Sequence, residues 1–271
     1  MPKHNSRQEE PLIGRILISL RIRRDKELCV DITCIVTLHN EGYLAHRTLM
    51  SIFSAVDFAK YNDRINTEII IITDNASSMT ESYISQELTR PVKVFHVNKK
   101  DPGLARNHGI EQARGDYVAI LDGDDLISKN WLSEAYRLAS ENEKYVVHPE
   151  YNVFFGSERR FLGHMDQESI SFDASRLLLE NFWSALSFSR RQTYETIKYE
   201  YAHVDDGFGY EDWHWNCEAI AAGFIHKVAK NTQHFIRLKR TGSRNHVAYN
   251  YGVLLRHSNL FDDGNFFVKE A

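Results

Sequence analysis

The chain has 271 residues, of which 42% are hydrophobic and 26% are charged, and these proportions are those of an ordinary globular protein. That length suits one large α/β domain or two small ones. The net charge of −4 gives no basic surface for nucleic acid, so we expect no nucleic-acid partner.

The lack of a sorting signal and the pattern of the cysteines favour a cytoplasmic protein. The sequence shows no signal peptide and no run of about 18 apolar residues that would span a membrane. Cys29, Cys34 and Cys217 are odd in number and lack C-x-x-C spacing, which is typical of free thiols in a reducing compartment. We therefore expect a cytoplasmic location, either free or at the inner face of the membrane.

Residues 1–30 form an N-terminal extension with two open interpretations. Within Pro11–Lys26, apolar residues fall at helical spacing among arginines, which predicts a basic amphipathic helix on an anionic membrane surface. Alternate residues within Ile16–Ile22 are also apolar, which is typical of an edge strand. Peripheral membrane contact through this segment is therefore one of two alternatives.

Apolar strands and helical patterns alternate four times in the first half of the chain. Predicted buried strands lie at 31–38, 68–73, 92–97 and 116–121. The segments between them have helical periodicity, and Ser78 with Glu81 forms a capping-box pattern at the start of one of them. This alternation predicts an α/β fold with a mostly parallel central sheet flanked by helices.

The fourth predicted strand runs into the acidic sequence Asp122-Gly123-Asp124-Asp125. Three carboxylates this close repel one another unless water or a cation screens them. Such oxygen ligands suit Mg²⁺ or Mn²⁺, and ligands of open α/β sheets bind beyond the carboxyl ends of the strands. The alternative is a solvated turn, because Asp and Gly are favoured in turns for conformational reasons.

Several common motifs are missing from the sequence. It contains no G-x-x-x-x-G-K-[ST], no G-x-G-x-x-G after the first strand and no H-E-x-x-H. The acidic run does not start a calcium loop, because Ile127 and Ser133 occupy the positions that require Gly and Glu. The 13 histidines show no zinc spacing. These observations exclude the nucleotide and metal sites that those motifs build.

Polar side chains also follow the other predicted strands. Thr37 and Glu41 lie at the end of the first strand, and Asp74 ends the second. Arg106 lies on the helix before the fourth strand. Because the carboxyl ends of parallel strands meet at one edge of a sheet, these side chains and the acidic run together predict a polar ligand pocket.

A second acidic pair, Glu211-Asp212, begins a predicted helix that ends before Gly223. Acids in the first turn of a helix commonly balance its dipole, which gives both residues a purely structural explanation. Their place after a Gly-Phe-Gly turn, downstream of the first acidic run, favours a catalytic one. The helix dipole lowers the pKa of Asp212 and burial raises it, so the sequence leaves that balance open.

Four segments together resemble the family 2 glycosyltransferases of the GT-A fold: CIVTLHNEG, IIIITDNAS, GLARNHGIEQARGDYVAILDGDD and GFGYEDWHW. Their order and spacing match that family from Asp31 to Gly223. The resemblance implies a nucleotide-sugar-binding half at 31–150, an acceptor-binding and catalytic-base half at 151–235, and a C-terminal loop and tail at 236–271 on the acceptor side.

By this resemblance, the first half binds the donor. Thr37 and Glu41 would line the nucleoside site, and Asp74 would recognise the base, most often uracil. Arg106 would lie near the nucleotide, and Asp122 would face the ribose and the sugar. The implied donor is a nucleotide-diphosphate sugar, and a UDP-sugar above all.

The resemblance also implies a metal and a base. Asp124, with Asp122, would hold the Mn²⁺ or Mg²⁺ that bridges the diphosphate, and Asp212, with Glu211 beside it, matches the catalytic base. The implied enzyme is an inverting transferase that acts on a glycan or lipid-linked glycan in bacterial cell-surface polysaccharide synthesis. A nucleotidyltransferase and a non-catalytic nucleotide- or sugar-binding module remain alternatives, although the first would need a Gly-rich loop and the second would not need Asp212.

The last part of the chain departs from the family pattern. Ile236 stands where the family often has an aromatic residue, and the basic run Arg237–Ser243 suits either a loop over the diphosphate or a solvated loop. His234 and His246 are candidates for a further metal ligand, and neither is favoured. Trp183 could stack on a sugar ring, but aromatic residues are more often core.

Overall fold

The computed structural model describes residues 29–239 and 252–262. The segment Pro11–Lys26, residues 240–251 with His246, and the tail at 263–271 lie outside the described residues. The strands are β1 (Ile32–Leu38), β2 (Thr67–Asp74), β3 (Lys93–Val97), β4 (Tyr117–Asp122), β5 (Leu126–Ile127), β6 (Tyr145–Gly156), β7 (Arg160–Gly163), β8 (Ser187–Arg190), β9 (Phe208–Gly209), β10 (Ile225–Leu238) and β11 (Leu254–Leu255). The α-helices are α1 (Ala45–Asp63), α2 (Ser78–Glu87), α3 (Pro102–Gln112), α4 (Trp131–Ala139), α5 (Arg191–Thr196) and α6 (Glu211–Ala221).

Nine of the described strands form one sheet in the order β3-β2-β1-β4-β8-β6-β10-β5, with β7 beside β6. β1 pairs in parallel with β2 and β4, and β2 pairs in parallel with β3. β8 runs antiparallel to both β4 and β6, so β6 and its parallel partner β10 point the same way as β4. The carboxyl ends of β1, β2, β4, β6 and β10 therefore lie at one edge of the sheet, where ligands of such folds bind.

The central strands β1 and β4 are largely apolar and buried because helices cover both faces of the sheet. Val36 of β1 lies in one buried cluster with Ile52 of α1. Ile35, the next residue in the strand, lies in a second buried cluster with Ile110 of α3. Each fully buried side chain of this kind stabilises the fold by roughly 1.5–3 kcal/mol. The predicted α/β fold, a mostly parallel sheet flanked by helices, is confirmed.

The first helix, α1, is amphipathic. α1 spans 19 residues and buries Leu49 and Phe53, while Met50 and Tyr61 are exposed. It ends where Arg64 adopts a left-handed conformation with φ 59°. Along the described stretches of the chain, no helix combines the length and the apolar character needed to cross a membrane.

The start of α2 differs by one residue from the sequence prediction. The helix begins at Ser78, and its cap is Ser77, whose hydroxyl accepts the Thr80 N–H at 3.4 Å. The predicted capping box of Ser78 with Glu81 is therefore wrong. Three neighbouring residues, Ser77, Ser78 and Thr80, all have side chains that could cap, so the pattern alone did not fix the register.

β8 is an element that the sequence did not predict. Phe188 at its centre is fully buried and stacks on Tyr117 of β4, with ring centroids 5.6 Å apart. It also meets Trp131 of α4 edge-on at 6.4 Å. β8 thereby joins β4 to β6 and makes the strands on its two sides one continuous sheet.

Candidate active site

The first acidic run forms a tight turn where β4 leaves the sheet. Thr37 and Asp122 are register partners on β1 and β4, and the Thr37 hydroxyl donates to Asp122 Oδ1 at 3.3 Å. Gly123 is required next, because a Cβ there would lie 2.1 Å from Leu38 Cδ2 and 2.7 Å from the Thr37 carbonyl oxygen. The Thr48 hydroxyl of α1 donates to the Gly123 carbonyl oxygen at 2.9 Å. The turn is therefore held by β1 and α1 and is not a freely solvated loop.

One buried guanidinium joins this turn to the second acidic pair. Arg106 donates to Asp122 Oδ1 at 2.8 Å and to Glu211 Oε1 at 2.9 Å, and its side chain is only 2% exposed. Burial alone would raise the pKa of Asp122, but the charge and hydrogen bond of Arg106 outweigh it and hold that pKa below its ordinary value. Tyr199 packs against the guanidinium, 5.4 Å from Cζ to the ring centroid. Arg106 therefore lies beneath the acids and locks α6 against β4, while its predicted proximity to the nucleotide stays a prediction.

Asp124 faces the basic end of β10. Arg237 Nη2 lies 2.9 Å from Asp124 Oδ2, and Lys239 Nζ lies 2.8 Å from the same oxygen. Glu41 lies near them. Burial raises the pKa of Glu41, the Asp124 charge acts in the same direction, and Lys239 opposes it. The sheet edge thus brings predicted donor-side acids together with two cations.

The acids fit a divalent cation that shares its coordination with a substrate. Within residues 29–239 and 252–262, no group of three His, Cys, Asp or Glu side chains could hold a metal by itself. Mg²⁺ does not require such a cage, since it is commonly bound by one or two carboxylates together with substrate phosphates and water. Asp124 and Asp122, whose side chains are 14% and 36% exposed at the sheet edge, offer carboxylate oxygens of that kind.

Asp125 turns inward from the same run. Its Oδ1 accepts the Arg237 backbone N–H at 3.0 Å, and its Oδ2 lies 3.1 Å from His234 Nε2. His234 Nδ1 lies 3.0 Å from the Ser184 hydroxyl, and the imidazole is buried. The candidate metal ligand His234 is thus enclosed between Asp125 and Ser184, and its role as a metal ligand stays a prediction.

Asp212 is the second residue of α6, which follows Tyr210 in a left-handed conformation with φ 61° and has no side-chain cap. Burial raises the pKa of Asp212 to about 7, and the Glu211 charge acts in the same direction. The charge of Arg106 and the Trp213 N–H oppose the rise without cancelling it. Burial therefore outweighs the influences that lower the pKa, and a carboxylate with a pKa near neutrality is suited to take a proton.

Asn181 is a neighbour of Asp212 that the sequence analysis missed. Its Nδ2 lies 3.5 Å from Asp212 Oδ2. It precedes β8 in an irregular stretch, 31 residues before Asp212 in the chain. No motif marks a lone asparagine in such a stretch, so only the folded structure identifies the contact.

Asp74 accepts hydrogen bonds from the loop before α3. Its Oδ1 accepts the backbone N–H groups of Lys99 and Lys100 at 2.6 and 2.9 Å, and its Oδ2 accepts that of Asp101 at 3.0 Å. Asp101 then caps α3 by accepting the N–H three residues on, at 2.9 Å. Asp74 therefore fixes the start of the helix that carries Arg106, and its predicted contact with the base stays a prediction.

Trp183 is part of the core. Its ring stacks on His226 with centroids 4.0 Å apart, and its indole N–H donates to the Met165 carbonyl oxygen at 2.7 Å. The side chain is 3% exposed. Of the two interpretations of Trp183, core packing matches these contacts.

Comparison with known proteins places the chain in a family. The model of glycosyl transferase family 2 matches residues 33–207. The glycosyltransferase GlyG of Streptococcus pneumoniae is 32% identical over 101 residues, which are 35% of this chain and 33% of GlyG. Polypeptide N-acetylgalactosaminyltransferase 3 of Drosophila melanogaster is 28% identical over 177 residues, which are 61% of this chain and 23% of that enzyme. The matched region is a third or less of the length of these two relatives.

Solved structures of S. aureus TarS have the same fold. TarS 1–349 in complex with UDP gives a TM-score of 0.56 at 18% identity, over 78% of this chain and 61% of that one. The complex of TarS 1–349 with UDP-GlcNAc gives a TM-score of 0.58, over 79% and 60% of the two chains. The family model covers more than half of this sequence, and the mixed α/β architecture agrees with it. The chain therefore belongs to glycosyl transferase family 2.

Proposed function

We propose that this chain transfers a sugar from a nucleoside diphosphate sugar to a hydroxyl group of a glycan acceptor. One observation carries the proposal: the buried Arg106 ties the donor-side Asp122 to Glu211, which is adjacent to Asp212. Membership of glycosyl transferase family 2 supports the same reaction class. A binding module would not need a buried carboxylate with a pKa of about 7, so an enzyme is favoured over a non-catalytic protein.

In this proposal the basic end of β10 and the first acidic run bind the diphosphate. Asp124, with Asp122, contributes carboxylate oxygens to a Mg²⁺ or Mn²⁺ ion that also contacts the diphosphate. Arg237 and Lys239, now on Asp124, would pair with the phosphate oxygens by charge and hydrogen bonds. When bound, the cation neutralises the negative charge that develops on the leaving diphosphate.

The proposed donor is a UDP-sugar. The UDP and UDP-GlcNAc complexes of TarS, a protein with the same fold, support a uridine nucleotide. Thr37 and Glu41 at the end of β1 would line the nucleoside site, and Asp74 at the end of β2 would face the base, either directly or through the loop that it holds. The position of both strand ends at the ligand-binding edge supports this arrangement.

The proposed step is a single displacement. The acceptor hydroxyl oxygen bonds to the anomeric carbon as the bond from that carbon to the diphosphate oxygen breaks, and the bonding electron pair leaves with the nucleoside diphosphate. The hydroxyl proton passes to the ionised carboxylate of Asp212, a general-base contribution of about 10²- to 10⁴-fold in rate. One displacement with no covalent intermediate inverts the anomeric centre. The acceptor that we propose is a growing cell-surface glycan or its lipid-linked precursor.

Calorimetric titration with UDP, GDP and CDP, each with and without Mn²⁺, tests the donor side. We expect UDP-selective binding that depends on Mn²⁺, and we expect Asp124→Asn to lose the Mn²⁺ dependence. Asp63→Asn, at an exposed aspartate of α1, is the matched control and should bind like the unaltered protein. Selective binding of GDP or CDP would overturn the uridine assignment, and folded protein that binds none of the three would overturn the proposed function.

A screen of UDP-sugars with glycan acceptors tests the transfer itself. The anomeric configuration of the product, read by NMR, is expected to be opposite to that of the donor. A product with retained configuration would rule out the single displacement at Asp212 and require a nucleophile in its place.

A further inference from the structure

The segment from Asn181 to Ser184 contacts Asp212 directly and reaches the first acidic run through His234. At one end, Asn181 Nδ2 lies 3.5 Å from Asp212 Oδ2. At the other end, the Ser184 hydroxyl lies 3.0 Å from His234 Nδ1, and His234 Nε2 lies 3.1 Å from Asp125 Oδ2. The segment therefore spans from the residue proposed as base to the turn proposed to hold the diphosphate.

The amide of Asn181 has a defined orientation. Its Oδ1 accepts the Trp183 N–H at 3.3 Å and the Asn216 Nδ2–H at 3.2 Å. Since an amide oxygen only accepts and an amide nitrogen only donates, these two donors fix the oxygen and direct the NH₂ group to Asp212. The distance of 3.5 Å is long for a hydrogen bond, and catalytic contacts often shorten only when substrate binds.

We propose that Asn181 is a positioning residue for Asp212, a role that rests on the proposed function above. Its N–H group holds Oδ2 and leaves the other carboxylate oxygen for the acceptor hydroxyl. A donated hydrogen bond also favours the ionised form of a carboxylate, which is the form that accepts a proton. Asn181 therefore both orients the base and keeps it reactive.

The other influences on the base are burial, neighbouring charges and the Trp213 backbone N–H, which donates a hydrogen bond that lowers the pKa of Asp212. The pKa of Asp212 is raised first by burial, then by Glu211 from the same helix, and also by Asp122 from β4. Arg106 from α3 lowers it, and the neutral phenol of Tyr199 lies near enough to interact with it. Asn181 adds a neutral donor from the segment before β8, so its removal should raise the same pKa further.

Two substitutions separate positioning from packing. Asn181→Asp keeps an oxygen that can accept from Trp183 and Asn216 but faces Asp212 with a second carboxylate oxygen. Asn181→Ala removes the accepting oxygen and the donor together. If the residue only packs, Ala should lower stability and leave the Asp212 pKa unchanged, although the new charge in Asp would still raise that pKa. If it positions the base, Asp should be the more severe change, because repulsion of like charge adds to the lost donor.

The experiment is a ¹³C NMR titration of the Asp212 side-chain carboxyl in the full chain, with the resonance assigned by its loss in Asp212→Asn. We expect the lowest midpoint in the unaltered protein, a higher one in Asn181→Ala and the highest in Asn181→Asp, about one pH unit or more above the original. Asn62→Asp is the matched control, because that exposed amide donates within α1, to the Phe58 carbonyl oxygen at 2.8 Å. It should leave the midpoint unchanged.

The titration needs no substrate, so its outcome is separate from that of the proposed reaction. A midpoint in Asn181→Ala at or below the original, or a midpoint in Asn181→Asp at or below the original, would overturn the positioning role. If the midpoints follow the expected order but no sugar is transferred to any acceptor, the positioning role of Asn181 is supported and the proposed function fails. Once a donor is identified, the acid limb of kcat should move to higher pH in the same order, while the KM for the donor stays near that of the unaltered protein.

Discussion

The two acidic parts of the site differ in how their charges are balanced. In the first acidic run, Asp122 is paired with Arg106, and Asp124 is paired with Arg237. On the other side of the same arginine, the ion pairs found in the described residues leave Asp212 without a cationic partner within 4 Å. The pKa of Asp122 is lowered, whereas that of Asp212 is raised to about 7.

That difference suits the two jobs proposed for the carboxylates. Acids that bind a metal and a diphosphate must stay ionised throughout the working pH range, and a neighbouring cation ensures this. A base must exchange a proton near neutral pH, and a cation in contact would make it too weak. Arg106 is paired with Glu211 and not with Asp212. Glu211 therefore fixes α6 through its ion pair with Arg106, and the guanidinium makes no ion pair with Asp212.

Asp212→Asn should have the largest effect. It should remove the proposed proton transfer and leave nucleotide binding intact. An amide cannot take the acceptor proton, so the transfer rate should fall by about 10²- to 10⁴-fold. Nucleotide affinity should stay nearly unchanged, because the donor-side pairs are untouched. The measurements are a transfer assay and calorimetric titration with UDP, and Asp205→Asn, at an exposed acid before α6, is the control. Loss of both transfer and nucleotide binding would remove the assigned role.

Arg106→Met should disturb both acidic parts of the site, because Arg106 pairs with an acid of each. It leaves the carboxylates of Asp122 and Glu211 without their shared cation, and unpairing a buried charge costs about 3–5 kcal/mol of unfolding free energy. Urea denaturation measures this loss. Arg137→Met is the control, since its partners Glu134, on α4, and Glu141, just after that helix, lie at the surface and such pairs contribute about 0–1 kcal/mol. Equal losses in the two variants would show that Arg106 does not lock the site.

Gly123→Ala should disturb the turn that carries Asp122 and Asp124 and leave Asp212 unaffected. The added Cβ would meet Leu38 Cδ2 at 2.1 Å and the Thr37 carbonyl oxygen at 2.7 Å, so β1 or the turn must move. Overpacking of this kind typically costs about 1–3 kcal/mol of unfolding free energy. UDP affinity should fall as well, because Asp122 and Asp124 flank the glycine.

Gly207→Ala is the comparison for that change, since a Cβ at that φ of +84° is strained but meets no atom within 4 Å. It should lose stability without losing UDP affinity. A Gly123→Ala protein that binds UDP normally would show that the turn does not hold the diphosphate.

The sequence predicted the sheet and the acids at its edge because both depend on local signals. The continuous apolar run Ile69–Ile72 predicts a buried strand, placed at Glu68–Thr73, and the observed β2 is Thr67–Asp74. Acids that follow such strands lie at the ligand-binding edge by the geometry of parallel sheets. The fold class and the grouping of Asp122 with Thr37 and Arg106 were therefore predictable.

The rest depends on contacts that are distant in the sequence. β8 has four residues and is a strand only because β4 and β6 flank it. The enclosure of His234 between Asp125 and Ser184 joins three separate segments. The pKa of Asp212 depends on burial by the folded chain, and burial has no local signature in the sequence.

The last expected effect is a pH dependence of stability, and it tests the raised pKa of Asp212 directly. Between the ordinary value of 3.8 and about 7, folded protein keeps a proton on Asp212 that the unfolded chain has lost, so stability falls as the pH rises through this window. An asparagine does not titrate and is free of that loss. Asp212→Asn should therefore raise the urea midpoint relative to the unaltered protein more at about pH 8 than at about pH 5. The same difference at both pH values would mean that the carboxylate is not buried enough to act as a base near neutral pH.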